Sequence, residues 1–160
     1  MDDARGMIEA GPEQRAMAVL RVALGAMFVW VFFENLGKGA YTPAGYKGVI
    51  DYYVKNGHSP AVWKSLISVM AANASIVAPL QAMTELGFGV FLVAGAATRV
   101  VAAAAGAFLF TLWVSELGTS WIWELAIPVV VAFSLAYARA GRAWGVDALL
   151  ARRYPGWRLG

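Results

Sequence analysis

A chain of 160 residues that is 60% hydrophobic and only 14% charged, with a mean hydropathy of +0.60, is more apolar than a soluble domain. It reads as a membrane protein of single-domain size. No cysteine is present, which excludes disulfides, thiolate metal sites and cysteine redox chemistry. The single histidine, His58, excludes a haem held by two histidines of this chain. The net charge of +3 sits at membrane flanks rather than in one stripe, which argues against nucleic acid as a partner.

Residues 1–14 form a polar tail of mixed charge. It lacks a basic run leading into a short apolar core with a small-residue cleavage site, so the hydrophobic segment that follows is expected to be retained. That first span, about residues 15–33, has nearly the roughly 20 residues needed to cross a hydrocarbon core. Arg21 interrupts it near its start, within snorkelling reach of the headgroups. At its far end Glu34 and Lys38 stand four apart, in the favourable order for a helical ion pair, which also reads as an interfacial stop signal.

Between residues 39 and 73 the character changes. Gly39, Pro43, Gly45 and Gly48 mark a loop, and Tyr41, Tyr46, Tyr52 and Tyr53 suit the membrane–water boundary. A short helix is expected over residues 48–56, stopped by Asn56-Gly57. A second follows, with Ser59 as its N-cap and Pro60 at its first position. In it Val62, Leu66, Val69 and Met70 share a face, the pattern of an amphipathic helix lying on the membrane or capping the bundle. His58, in a Gly-His-Ser turn, reads as a loop residue.

The second span, about residues 74–96, repeats Ala74, Ala78 and Ala82 every four residues, a ridge that lets a neighbouring helix approach closely. Pro79 frees the carbonyl of Ser75 and is expected to bend the helix. Glu85 stands in the middle of this span, and Gln81 shares its face. A third span over about residues 99–117 and a fourth over about 121–139 are joined by a short loop and so form an antiparallel hairpin. Residues 141–160 form a basic tail with one short amphipathic turn at 146–152. The expected fold is all-α and integral to the membrane: a four-transmembrane-helix bundle over residues 15–140, with short amphipathic helices in the first, outward-facing loop.

Four spans put both termini and the turn at 96–99 on one side. That side holds all nine arginines, Arg5 and Arg139 among them and Arg21 counted as snorkelled to it; the other holds all four lysines, Lys38, Lys47, Lys55 and Lys64. The positive-inside bias then places both termini in the cytoplasm.

A carboxylate at bilayer depth costs at least a few kcal/mol unless protein or water receives it, which makes Glu85 the leading functional candidate. Antiparallel folding gathers Glu34, Glu116 and Glu124 near the outer face, level with Trp30, Trp113, Trp121 and Trp123. Glu85 is expected deeper, near mid-membrane, with Gln81 one turn closer to the outside. Such a path could pass protons or hydrogen-bond a polar head group. The plainer alternative makes the tryptophans an interfacial belt, Glu116 and Glu124 helix caps in water, and Glu85 a packing residue, although a glutamine would pack at less cost. At the opposite face Arg21 and Asp147 are expected at one level, able to bridge the first span to the tail.

Several short pieces follow one another in order. They are Arg21-x-x-Leu24-Gly25, Gly37-Lys38, Glu85-Leu86-Gly87-x-Gly89 with Gly95-x-x-Thr98-Arg99, and Gly141-Arg142 with Asp147-x-Leu149-Leu150. Together they resemble the DoxX/DoxD-like membrane proteins, and within them the small DoxD-type subunit of thiosulfate:quinone oxidoreductase, over roughly residues 16–150. The resemblance implies a four-helix protein of a bacterial or archaeal plasma membrane that helps pass electrons from thiosulfate to quinone, with a partner subunit or larger membrane complex. Quinone is then the expected cofactor, its ring against Trp30, Trp113 or Phe88, with Glu85 and Gln81 as the candidate catalytic pair near a carbonyl oxygen. Quinone reduction takes up protons, which a carboxylate can supply. Lys38, together with Lys64, could attract a small anion at the outer face. No haem or metal is expected from this chain. The rival expectation is a non-catalytic membrane anchor or accessory subunit, in contact with membrane lipid through its small-residue faces and amphipathic loop. A solute path past Glu85 has little room in four short spans.

Overall fold

The computed structural model describes residues 11–138, 140–154 and 156–159; Arg5 and Arg139 lie outside them. Among the described residues the chain is all-α. Its seven helices are α1 (Pro12–Gly37), α2 (Pro43–Asn56), α3 (Ala61–Ala72), α4 (Ala74–Ala94), α5 (Thr98–Ser115), α6 (Ile122–Ala138) and α7 (Val146–Arg153), with a 3-10 turn at Ala140–Arg142 ahead of α7. Three of them, α1, α4 and α5, are long and apolar enough to cross a membrane, and α3 and α6 are shorter apolar helices. The protein is a multi-pass membrane protein.

The spans pack because each carries one buried stripe at helical spacing. On α1 this is Ala18, Arg21, Leu24, Gly25 and Phe28; on α4 it is Ala74, Ala78, Glu85, Gly89 and Leu92. Helices α1, α4, α5 and α6 form a ring in which α1 lies between α4 and α6, and α5 closes the other side. The middle of the ring is apolar. Leu24, Phe28, Leu92, Leu109 and Leu135 meet there with Ala102, Ala105 and Ala132, and the rings of Phe28, Phe88 and Phe108 contact one another at 5.5 to 6.4 Å. Gly25 and Gly89 let α1 and α4 touch backbone to backbone. A Cβ on Gly25 would stand 2.8 Å from the Val93 amide nitrogen, and one on Gly89 would stand 3.0 Å from that of Val29.

A second, smaller core lies beside the first. Tyr46, Ile50, Ile67 and Ala71 pack on Ala74 and Ala78, so the alanine ridge of α4 receives α2 and α3. Two helix starts differ from the sequence expectation. Helix α2 begins at Pro43 rather than near residue 48, because Thr42 Oγ1 accepts the Gly45 N–H at 3.1 Å and Pro43 suits the first turn. Gly45 and Gly48 are therefore helical. Helix α3 begins at Ala61, and Ser59 does not cap it. The Ser59 hydroxyl instead donates to the carbonyls of Val114 at 2.7 Å and Ser115 at 3.1 Å, groups at the end of α5 that its own ladder leaves unpaired. The His58 N–H reaches the Leu117 carbonyl at 2.5 Å, and Trp63 Nε1 donates to Ser115 Oγ at 2.9 Å. The α2–α3 segment is thus fastened to the end of α5.

The opposite end is closed by charged groups. Arg21 does not snorkel to the headgroups: it is 0% exposed. Its guanidinium turns inward and donates from Nη1 to the Ala140 carbonyl at 3.3 Å and from Nη2 to the Trp144 carbonyl at 3.1 Å. Asp147, also 0% exposed, accepts the N–H groups of Ala97 and Thr98 at 2.8 Å each, and Trp157 Nε1 at 3.0 Å. It therefore caps α5 from fifty residues away, where no local side chain does, and holds Ala97 at φ +47, a conformation rare for a residue with a side chain. Arg21 and Asp147 share this end and interact electrostatically, but each makes its hydrogen bonds to other groups. Glycines permit the closeness. Gly95 ends α4 at φ +65 against Arg21, and a Cβ on Gly141 would lie 2.2 Å from Asp147 Oδ2.

Candidate functional site

The site is built on α4 and closed by the loop after α1. Glu85, on the buried stripe of α4, is 2% exposed. Its Oε1 accepts from Gln81 Nε2, one turn earlier, at 2.7 Å. Its Oε2 accepts from the Tyr41 hydroxyl and from Asn35 Nδ2, the latter at 3.4 Å. Asn35 Nδ2 also stands 3.4 Å from the Tyr41 oxygen. Two amides and a phenol thus surround the carboxylate, and all three are neutral.

Tyr41 reaches the site because Gly39, at φ +71, turns the chain back over the end of α1. Its ring stacks on Phe32, with centroids 5.5 Å apart and planes 26° from parallel. Burial, and then the bond to Glu85, push the Tyr41 hydroxyl well above the usual phenol range, so it stays a proton donor. Asn35 lies in the last turn of α1. The carboxylate is therefore level with the last turn of α1.

A second carboxylate stands apart. Glu116, just past α5, accepts from the Tyr53 hydroxyl and from Ser120 Oγ at 2.9 Å each. It borders an open groove of about 500 Å³, whose walls include Gly48, Tyr52, Tyr53 and Thr119. Burial raises the Tyr53 pKa most, followed by the charge and hydrogen bond of Glu116; the charge of Glu124 adds less.

The structure thus brings Gln81 to Glu85, and it leaves the other expected members of the cluster elsewhere. Glu34 is exposed and pairs with Lys38 at 2.5 Å on the surface. Trp30, Trp121 and Trp123 point outward, 73%, 76% and 65% exposed. Trp113 lies edge-on to Phe110, Phe88 belongs to the apolar middle, and Glu124 is exposed. Asn35 and Tyr41 are the two members that sequence reasoning missed. Asn35 had a signal: Arg21, Phe28 and Asn35 are spaced by sevens, which puts all three on one face of α1. Tyr41 lies in a loop, where periodicity says nothing.

Fold and site together define an all-α, multi-pass membrane protein with a buried carboxylate held between two spans by neutral donors. The chain belongs to the DoxX family, whose model matches residues 16–116. The match includes Asn35, Tyr41, Gln81, Glu85 and Glu116 and stops before α6 and the tail that carries Asp147. No curated protein and no solved structure matches the chain.

Proposed function

We propose that this protein is the membrane subunit of a quinone-linked oxidoreductase, with a proton-exchanging head-group site at Glu85. The observation that carries the reading is a buried carboxylate that accepts from two amides and a phenol, with no cationic partner among the described residues. The donor set fits a quinone: the amides of Asn35 and Gln81 and the hydroxyl of Tyr41 are the groups a ring carbonyl accepts from, and Phe32 with Tyr41 offers an aromatic wall. Bound quinone would supply the acceptor for electrons and protons. Glu85 would take up and release the proton once bound groups replace its present donors, and Tyr41 Oη would connect it to the loop surface. The chain has no cysteine and one histidine, so electrons would come from a partner subunit, of a thiosulfate-handling kind if the DoxD-type resemblance extends to activity.

Four spans are proposed, with α6 as the fourth. Its 17 residues measure about 25 Å, at the short limit for crossing, and Trp121 and Trp123 at its start suit an interface. The distribution of arginine and lysine supports both termini in the cytoplasm, and the DoxD-type resemblance implies a bacterial or archaeal cell. The rival reading, an accessory subunit without catalysis, draws on the fact that both oxygens of Glu85 already have partners within the protein. The two separate in a nanodisc preparation assayed for retained quinone and for proton uptake on its reduction. Retained quinone, and uptake reduced at least tenfold by Glu85→Gln with the fold intact, are expected. No retained quinone, together with unchanged quinone-linked activity in Glu85→Gln, would overturn the proposal in favour of the accessory role.

A further inference from the structure

We propose that α3 lies along the membrane with its outer face among the acyl chains of the nearer leaflet, so that lipid is what this face meets. The inference is independent of the quinone reading. Helix α3 has 12 residues, about 18 Å, too short to cross. Both of its ends are fastened to one end of the bundle. Ser59 and Trp63 bond the last turn of α5 at its start, and at its other end Asn73 passes directly into α4. It therefore lies across the bundle end rather than along a span.

Its inner face is occupied, since Ile67 and Ala71 are buried against α2 and α4. Its outer face is apolar and uncovered, with Val62, Leu66 and Val69 exposed by 84%, 49% and 62%. The polar groups nearby point to hydrocarbon rather than water or protein on that side. Ser65 Oγ bonds the Ala61 carbonyl at 3.1 Å, Ser68 Oγ the Lys64 carbonyl at 2.8 Å, and Asn73 Nδ2 the Val69 carbonyl at 2.9 Å. Lys64 Nζ turns back to the Gly57 carbonyl at 2.7 Å. Closing polar side chains on the local backbone removes unmet groups that would be costly in lipid, and it offers a protein partner few free donors. The apolar face also continues into α4, where Ile76 and Met83 are 69% and 72% exposed on a candidate membrane span. Continuity with that surface favours acyl chains over a second copy or another subunit.

The absence of cysteine makes the test direct. Val62→Cys, Val69→Cys and, as the reference on α4, Ile76→Cys are each labelled with a nitroxide in phosphatidylcholine vesicles. Power saturation is then measured with oxygen, which partitions into lipid, and with a water-soluble nickel chelate. Oxygen-to-nickel accessibility ratios at 62 and 69 within about twofold of that at 76, with oxygen access high, are expected. Preferential access to nickel would place the face in water, and low access to both reagents would mean that protein covers it. Either result overturns the proposal.

Discussion

The two ends of the bundle both bury charge, and they do it in different ways. At the Arg21–Asp147 end the partners are mainly backbone groups: carbonyls of Ala140 and Trp144 for the guanidinium, amides of Ala97 and Thr98 for the carboxylate. Backbone partners cannot rotate away without moving a helix end or a turn, and glycines at 95 and 141 hold those elements in van der Waals contact. At the Glu85 end every described partner is a neutral side chain, one of them, Tyr41, on a loop. Side chains can change rotamer, so the bonds of Glu85 can break while the helices stay in place. The first end is built as a lock, and the second rests on bonds that side-chain rotation alone can release.

Substitutions can break this contrast. Asp147→Ala strands a buried guanidinium and two helix-start amides, and is expected to cost about 3–5 kcal/mol, read as a loss of thermal stability in detergent. Gly141→Ala forces a methyl against Asp147 and should cost about 1–3 kcal/mol. Gly87→Ala, with nothing within 4 Å of the added carbon, should be neutral or stabilising by up to about 1 kcal/mol. Tyr41→Phe, which removes one donor to Glu85, should cost about 1–2 kcal/mol. Glu85→Gln should cost about 1–2 kcal/mol, because its amide oxygen still accepts from Tyr41 and Asn35 while Gln81 must turn its own amide to accept from the new NH2. If Glu85→Gln proved as damaging to stability as Asp147→Ala, the two ends would be equivalent locks and the contrast would be lost.

The smaller effects sharpen the picture. Tyr41 and Tyr53 have hydroxyl pKa values raised by burial first and by Glu85 and Glu116 next. A folded value above the unfolded one of about 10 means that their contribution is complete below that pH and is lost as pH rises above it. Stability should therefore hold up to about pH 10 and fall beyond it, with a shallower fall in the Tyr41→Phe/Tyr53→Phe double variant, followed by tyrosinate absorbance alongside unfolding. Lys47→Ala, which removes the exposed pair with Asp51 at 2.5 Å, should leave the unfolding temperature unchanged within error.

The pieces that carry the family resemblance divide between the two ends in a way their order in the chain conceals. Arg21, Gly95, Thr98, Gly141 and Asp147 all meet at the lock, and Glu85 stands at the other end. Arg21 and Asp147 were legible as sharing a level, because a charge near a span start and an acid in the tail fall on the same side of the membrane. That each would bond backbone rather than the other could not be read, since it depends on where the 95–98 turn and the 140–145 segment fold back. In the loop between α1 and α2, Thr42-Pro43 carried a helix start that the glycines obscured. Ser59 carried the chemistry of a cap but applies it to another helix.

Sequence alone determined that the chain is helical, that it belongs in a membrane, and that Glu85 and Gln81 share a face, because hydrophobicity and helical periodicity are local properties. It also marked the apolar stripe of α3 and the small residues through which helices approach. Only the tertiary structure decided the company of Glu85. Asn35 and Tyr41 are 50 and 44 residues away from it along the chain, and Tyr41 arrives through a loop turn at Gly39. Glu34, Glu116, Glu124 and the tryptophans lie at a similar level by sequence order, yet they face other directions, and direction around the bundle is set by packing rather than by depth along a helix.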